Sequence, residues 1–243
     1  MVRTVQAKLA ETAPDTGLQG VLLMRHSARE YRRDIHDLEN PLTDHGRELA
    51  QAFGRQLPQQ LTLRGFASPP HRCVETAELV LQGHHVHGAA SPDTAALPRL
   101  MEALGVFYAL DQSRMWKGLN SSNGLQNYMH SWFSGAIPAE IMMPPQLAMA
   151  MILQVLLGRL NSAEAGDRDG HLDLCVSHDM TIYLVRQACG LEAAHDHRVE
   201  FLDGLLLYRD GEHIRLRSHH GAEVDVTDTL LRGYAGTGKG NSQ

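Results

Sequence analysis

Short apolar runs ending abruptly in charge alternate along this chain with segments of helical period. Gly20 to His26 (GVLLMRH) reads as a buried strand with a basic end. From Pro41 the pattern turns helical, with Leu49, Phe53 and Leu57 spaced by four and Pro58 closing the segment. Arg64 to Ser68 is a second strand. Pro69-Pro70 then opens a helix with an apolar stripe of Cys73, Ala77, Val80 and Leu81. A strand around Val86 and a turn at Ser91-Pro92-Asp93 follow. Gln146 to Leu160 is a helix, Leu172 to Val176 a strand, and Asp179 to Cys189 a helix with Ile182, Val185 and Cys189 on one face and Gly190 as its stop. Gly204 to Tyr208 and His213 to Arg217 form a hairpin across Asp210-Gly211.

This alternation predicts an α/β protein, a three-layer α/β/α sandwich with a mainly parallel sheet. Residues 1–18 are expected to form a loosely held arm, 19–232 a single domain, and the Gly-rich 233–243 a flexible tail. Loop residues 161–170 (NSAEAGDRDG) also read as flexible. The stretch from about 105 to 145, broken by Gly118, Gly124, Gly135, Pro138, Pro144 and Pro145, reads as an insertion or cap. It carries Phe107, Tyr108, Phe133 and both tryptophans. Trp116, Tyr128 and Trp132 are its candidate substrate contacts, with ordinary packing of an insertion on the sheet as the equal alternative.

The 243 residues carry 22 Lys+Arg against 28 Asp+Glu, a net charge of −6, which argues against broad nucleic-acid or membrane-surface binding. The N-terminus lacks a signal-peptide core and no apolar run is long enough to span a bilayer, so a cytoplasmic protein is expected. Cys73, Cys175 and Cys189, odd in number and unclustered, suit reduced thiols. Histidine, at 15, is the unusual count.

Three polar clusters each follow a short strand: Arg25-His26-Ser27-Ala28-Arg29, Ser68-Pro69-Pro70-His71-Arg72 and Ser177-His178-Asp179. Ligands bind at the carboxyl ends of strands in open parallel sheets, so the three can converge on one pocket. Three guanidiniums around two imidazoles favour a tetrahedral dianion, because the guanidinium fork matches phosphate oxygens and keeps its charge. Arg72 in the first turn of its helix adds the helix dipole, and the helix opened by His178 and Asp179 contributes similarly. Ser177-His178-Asp179 is not a serine triad, since adjacent residues cannot point at one another as a triad requires.

In five segments the chain resembles the histidine phosphatase superfamily, the phosphoglycerate-mutase-like fold. They are LMRHSARE (23–30), NPLTDHGRELA (40–50), ASPPHRCVETAE (67–78), LPRLMEALG (97–105) and VSHDMTI (176–182). The resemblance implies His26 as the nucleophile that becomes a phosphohistidine. It also implies Arg25, Arg29 and Arg72 as phosphoryl ligands, His178 as their support, and no cofactor or metal. For the general acid it leaves two candidates. Glu102 sits where mutase-type and related small phosphatases place theirs, and Asp179 where the acid phosphatase and phytase branch does. Ser27 replaces the family's usual glycine, and Arg29 is itself a feature of the acid phosphatase branch.

The function so implied is a metal-independent phosphatase for phosphate monoesters, its substrate a phosphorylated small molecule or phosphoprotein, with neither nucleic acid nor membrane as partner and a homodimer left open. The alternatives are phosphoglycerate mutase-type phosphotransfer, disfavoured because the loop after His26 lacks the mutases' Asn-containing stretch, and a non-catalytic phospholigand-binding protein on the same fold. His84, His85, His87, His195, His197, His219 and His220 are read as solvent-facing histidines and not metal ligands. Arg33 and Arg114 are read as solvated charge, and Gly233 to Gly240 (GYAGTGKG) as a flexible end and not a P-loop.

Overall fold

The computed structural model describes residues 1–11, 17–32, 34–35, 37–85, 97–162, 170–191 and 196–231. Expectations for Arg33, Val86, His87, the turn at 91–93, His195, the loop residues 163–169 and the tail fall outside these residues. Among them the elements are α1 (Val2–Glu11), β1 (Leu18–Arg25), α2 (Asp44–Gln56), β2 (Thr62–Ala67), α3 (His71–His85), β3 (Arg99–Leu100), α4 (Gln112–Ser121), α5 (Leu125–Phe133), α6 (Pro145–Leu160), β4 (Gly170–Ser177), α7 (Asp179–Ala188), β5 (Gly204–Asp210), β6 (His213–Ser218), β7 (Glu223–Asp225) and α8 (Thr227–Leu231).

The strands form one sheet in the order β3-β2-β4-β1-β5-β6-β7. From β3 to β1 the pairing is parallel; β5, β6 and β7 extend it antiparallel. The sheet is therefore mixed; β1, β2 and β4 lie where the sequence predicts strands, while the short parallel strand β3 is one that the sequence reading did not expect. The antiparallel β5–β6 pair is closed by the Asp210-Gly211 turn, where Gly211 takes φ +59°.

Alternation along β1 sorts the core into two layers, since successive strand side chains face opposite ways. Val21 and Leu23 face α6 and α7 through Ile152, Leu156, Ile182 and Val185. Leu22 and Met24 face α2 and α3 through Ala50, Phe53, Ala77 and Val80. Cys73, Ala77, Val80 and Leu81, the predicted stripe of α3, are all buried. All three thiols are free and buried.

Two expectations are corrected. Residues 2–11 are not a loose arm but a helix, because Val5 is fully buried beside Leu18 and Tyr208, and the Lys8 ammonium lies 4.5 Å from the Tyr208 ring centre. His84 is not solvent-facing: it is buried, and its Nε2 lies 3.1 Å from the Pro58 carbonyl, across the α2–α3 connection.

The 105–145 stretch is a two-helix excursion whose ends are pinned together. Leu110 and Asp111 donate their N–H groups to the Ile141 carbonyl (2.9 and 3.1 Å), and Met143 donates to Tyr108 (2.7 Å). Asp111 caps α4 through its side chain, which accepts from the Arg114 N–H at 3.0 Å.

Candidate active site

Strand order brings the three polar clusters together. β4 lies between β2 and β1, in a register pairing Arg25 with Ser177 and Ala67 with Val176. The ladder continues past the strand ends: the His26 N–H donates to the Ser177 carbonyl (3.0 Å) and the Ser68 N–H to that of Val176 (2.9 Å). His26, Ser68 and His178 thus sit side by side at the carboxyl ends of three adjacent strands.

The loop after β1 is stapled to two helices. The Ser27 N–H donates to Thr76 Oγ1 (3.1 Å) on α3, and Ser27 Oγ donates to the Gly46 carbonyl (2.7 Å) in α2. This gives the serine, which departs from the family's glycine, a structural role. Thr43 caps α2 by accepting from the Gly46 N–H (2.9 Å), while its own N–H donates to Ala28 (3.0 Å). The approach is so close that a Cβ at Gly46 would lie 2.1 Å from the Ala28 carbonyl oxygen.

His26 is 3% exposed, with its Nδ1 2.8 Å from the Ser27 carbonyl oxygen. A carbonyl only accepts, so Nδ1 carries the proton and Nε2 keeps its lone pair. Burial, with the charges of His178, Arg72 and Arg25 behind it, pushes the imidazole well below its ordinary range. The ring is thus neutral and nucleophilic at neutral pH. His178 lies edge-on, ring centres 5.8 Å apart, with its Nε2 3.0 Å from Ser68 Oγ. Burial first, then Arg72, takes it down to about 3.

Arg25 donates to the Val199 carbonyl (2.8 Å) and pairs with Asp179 (3.1 Å) beneath the Phe201 ring, whose centre is 4.3 Å from its guanidinium carbon. Arg29 and Arg72 share Asp37. Arg29 reaches Oδ1 at 2.8 Å; Arg72 reaches Oδ2 at 3.0 Å and the Asp37 carbonyl at 2.6 Å. Burial pushes the Asp37 carboxyl up, but Arg72 and Arg29 outweigh it and hold it below the usual carboxylate range. Arg25 and Arg72 each retain a buried Nε–H with no partner among the described residues, a donor suited to an oxyanion. Sequence reasoning missed Asp37, Val199 and Phe201. One charge among many in residues 29–39 and a backbone carbonyl give no sequence signal, and only the fold brings them to the arginines.

Arg25, His26, Arg29, Asp37, Arg72 and His178 line a cavity of about 930 Å³, together with both candidate acids. Glu102 heads a short 3-10 turn held to the sheet, where the Met101 N–H donates to Ala67 (2.9 Å) and Ser177 Oγ to Leu104 (2.5 Å). The Glu102 carboxylate is exposed and has no partner among the described residues. Asp179 differs: Oδ1 accepts from the Met180 N–H (2.9 Å) and Oδ2 from Arg25.

The far wall comes from the insertion and is largely apolar, through Val106, Phe107, Met115, Trp116, Leu119 and Leu125, with Gln112, Ser113 and Asn120 as its polar members. Trp116 is part of this wall. Tyr128 and Trp132 are not: they are 3% and 1% exposed and belong to the core. Trp132 stacks on Tyr108 with ring centres 4.9 Å apart and donates Nε1–H to the Met143 carbonyl (2.8 Å). The insertion thus packs on the sheet with one side and covers the cavity with the other. Arg114 pairs with Glu140 (3.4 Å) at the surface, away from the phosphate end. No helix among the described residues is long and apolar enough to cross a membrane.

Comparisons with known proteins bear on the fold and the family. A search of curated proteins finds no match. Among solved structures, the chain is similar to the phosphoglycerate mutase from Bacillus anthracis (16% identity, 87% of this chain and 93% of that one, TM-score 0.53). It is also similar to Bacillus stearothermophilus YhfR (16% identity, 84% and 97%, TM-score 0.53) and to a structure described as mycobacterial hydrolase 1 (17% identity, 82% and 96%, TM-score 0.52). At such identities these likenesses establish the fold alone. The family model described as histidine phosphatase superfamily (branch 1) matches residues 21–206, a span that holds every residue of the phosphate end. The chain belongs to the histidine phosphatase superfamily.

Proposed function

We propose that the protein is a phosphatase that hydrolyses phosphate monoesters through a phosphohistidine on His26, without a metal in the chemical steps. The observation that carries this reading is the Nδ1 contact of His26 with the Ser27 carbonyl, which leaves a neutral Nε2 among the phosphate-matching arginines.

In the first step the Nε2 lone pair attacks phosphorus and the bond from phosphorus to the ester oxygen breaks, while Glu102 gives its proton to the departing oxygen. Arg25, Arg29, Arg72 and His178 hold the phosphoryl oxygens, supplying the positioning and charge stabilisation that dominate phosphoryl transfer. In the second step the Glu102 carboxylate takes a proton from water. The water oxygen bonds to phosphorus, the P–N bond breaks, and Nε2 recovers its lone pair as phosphate leaves. Glu102 is favoured over Asp179 because its oxygens are uncommitted, whereas both Asp179 oxygens already accept hydrogen bonds.

The apolar far wall favours an ester whose alcohol carries an apolar or aromatic body over a compact, multiply charged one. The protein is expected to hydrolyse p-nitrophenyl phosphate with or without EDTA, His26→Ala is expected to abolish turnover, and rapid acid-free quenching should trap an alkali-stable phosphoenzyme. Turnover that survives in His26→Ala, or that chelation abolishes, overturns the reading.

A further inference from the structure

Away from the catalytic cavity, a second group of polar side chains converges, and it is put together by strand register. β5 and β6 pair antiparallel with Leu205 opposite Ser218, so the residue before β5's first glycine and the two after β6 meet at the same end of the hairpin. These residues are Asp203, His219 and His220. We propose that they form a site for one divalent transition-metal ion of the Zn²⁺ class, distinct from the phosphate pocket.

Each residue offers one ligand atom, and all three atoms lie within 4.8 Å of one another. Bonds of about 2.1 Å to imidazole nitrogen and carboxylate oxygen require ligand atoms about 3.0–3.4 Å apart. His219 Nε2 and Asp203 Oδ1, at 2.9 Å, already meet that separation. His220, at an exposed position, has its ligand nitrogen within 4.8 Å of the other two ligand atoms and supplies the third ligand with a small side-chain adjustment. Metal binding displaces the proton shared between His219 Nε2 and Asp203 Oδ1 and releases it to solvent, so that nitrogen and oxygen both present lone pairs.

The surrounding contacts orient the ligands, as outer partners in metal sites do. Asp203 Oδ2 accepts from the Glu200 N–H at 2.7 Å, which leaves Oδ1 turned to the histidines. The His220 ring stacks on His197 with ring centres 4.0 Å apart and lies tilted against His219 at 3.7 Å. The turn is closed by the Ser218 N–H donating to Ala222 (2.8 Å), with Gly221 at φ +97°. Two imidazoles and one carboxylate suit zinc, nickel or copper better than magnesium or calcium, which select all-oxygen sites.

The site touches the catalytic machinery through the backbone. Asp203 accepts the Arg25 N–H at its carbonyl (2.8 Å), and four residues earlier the Val199 carbonyl holds the Arg25 guanidinium. An ion on Asp203 therefore anchors the strap that positions Arg25.

Titrating the full chain with Zn²⁺ in a calorimeter tests the proposal. One equivalent is expected to bind with a Kd of about 10 µM or tighter, to be weakened about tenfold or more by His220→Ala and by His219→Ala, and to persist in His26→Ala. Zinc should also slow amide exchange in 197–204 and 218–222. Absence of binding overturns the proposal, and so does an equivalent that survives both variants or disappears in His26→Ala. Should His219→Ala fail to fold, His220→Ala, at an exposed position, decides alone. The readout is binding, so the outcome is independent of whether the protein hydrolyses phosphate esters.

Discussion

The two carboxylates at the phosphate end differ in what their oxygens touch, and that difference predicts their roles. Glu102→Gln should lower kcat on an alkyl phosphate by about 10²–10⁴, the usual weight of general acid–base catalysis. Its cost should be smaller on p-nitrophenyl phosphate, whose leaving group needs no proton. Asp179→Asn loosens Arg25 and should act mainly on KM; if it costs more kcat than Glu102→Gln on the alkyl ester, the assignment is reversed. The histidines predict a pH dependence. His178 falls to about 3 in the folded protein against 6.5 for a free imidazole. Its stabilising effect is complete above pH 6.5 and is lost as the pH drops towards 3, because the unfolded chain then binds the extra proton. Chemical denaturation between these limits should show stability falling with acidity by about 1.4 kcal/mol per pH unit for each such histidine. His178→Asn should reduce that slope by about one proton; an unchanged slope would contradict a neutral, buried His178. His26, Arg25, Arg72, His178 and both carboxylates were legible in the sequence because each directly follows an apolar strand or lies in a family motif. Asp37 was not, since its partners lie 8 and 35 residues away.

At the scale of elements, the join between the loop after β1 and the start of α2 decides whether the phosphate end keeps its shape. Helix propensity alone makes Gly46→Ala stabilising by about 1 kcal/mol. The contact with Ala28 makes it the reverse, since a Cβ 2.1 Å from a carbonyl oxygen forces the loop or the helix to move. Gly46→Ala should destabilise the protein by about 2–3 kcal/mol and weaken inhibition by orthophosphate, measured by urea denaturation and by Ki. A neutral or stabilising result would mean that the loop moves freely. Periodicity located α2, α3 and α6 to within a few residues because each buries one apolar stripe, whereas α7 is buried on all sides from Met180 to Arg186 and was bounded by the polar residues before it and Gly190 after it. It failed at α1, where the apolar side chains are mostly small or widely spaced and burial depends on Val5 meeting a surface far away in sequence. It was also indecisive for α4 and α5, whose apolar residues serve two faces and therefore show no single stripe.

Over the whole molecule, a net charge of −6 coexists with a basic pocket because the arginines are gathered beyond the carboxyl ends of the central strands and partly balanced by Asp37 and Asp179. Substrate choice belongs to this scale, since the phosphate end and the apolar wall come from different parts of the chain. Trp116→Ala should reduce kcat/KM about tenfold for an aryl phosphate and far less for phosphoserine. Equal losses on both would remove Trp116 from the substrate's path. Strand order carries one more consequence. β1 bears the nucleophile and β2 leads into Arg72, yet the two are not neighbours; β4 must insert between them, and it follows β2 by more than a hundred residues. During synthesis, therefore, the nucleophile and its arginines exist for most of the chain's emergence without the strand that joins them. Pairing at such sequence separation is slow, and the waiting strands present open edges to other chains. Phosphate recognition is thus acquired late and all at once, when residue 177 reaches residue 25.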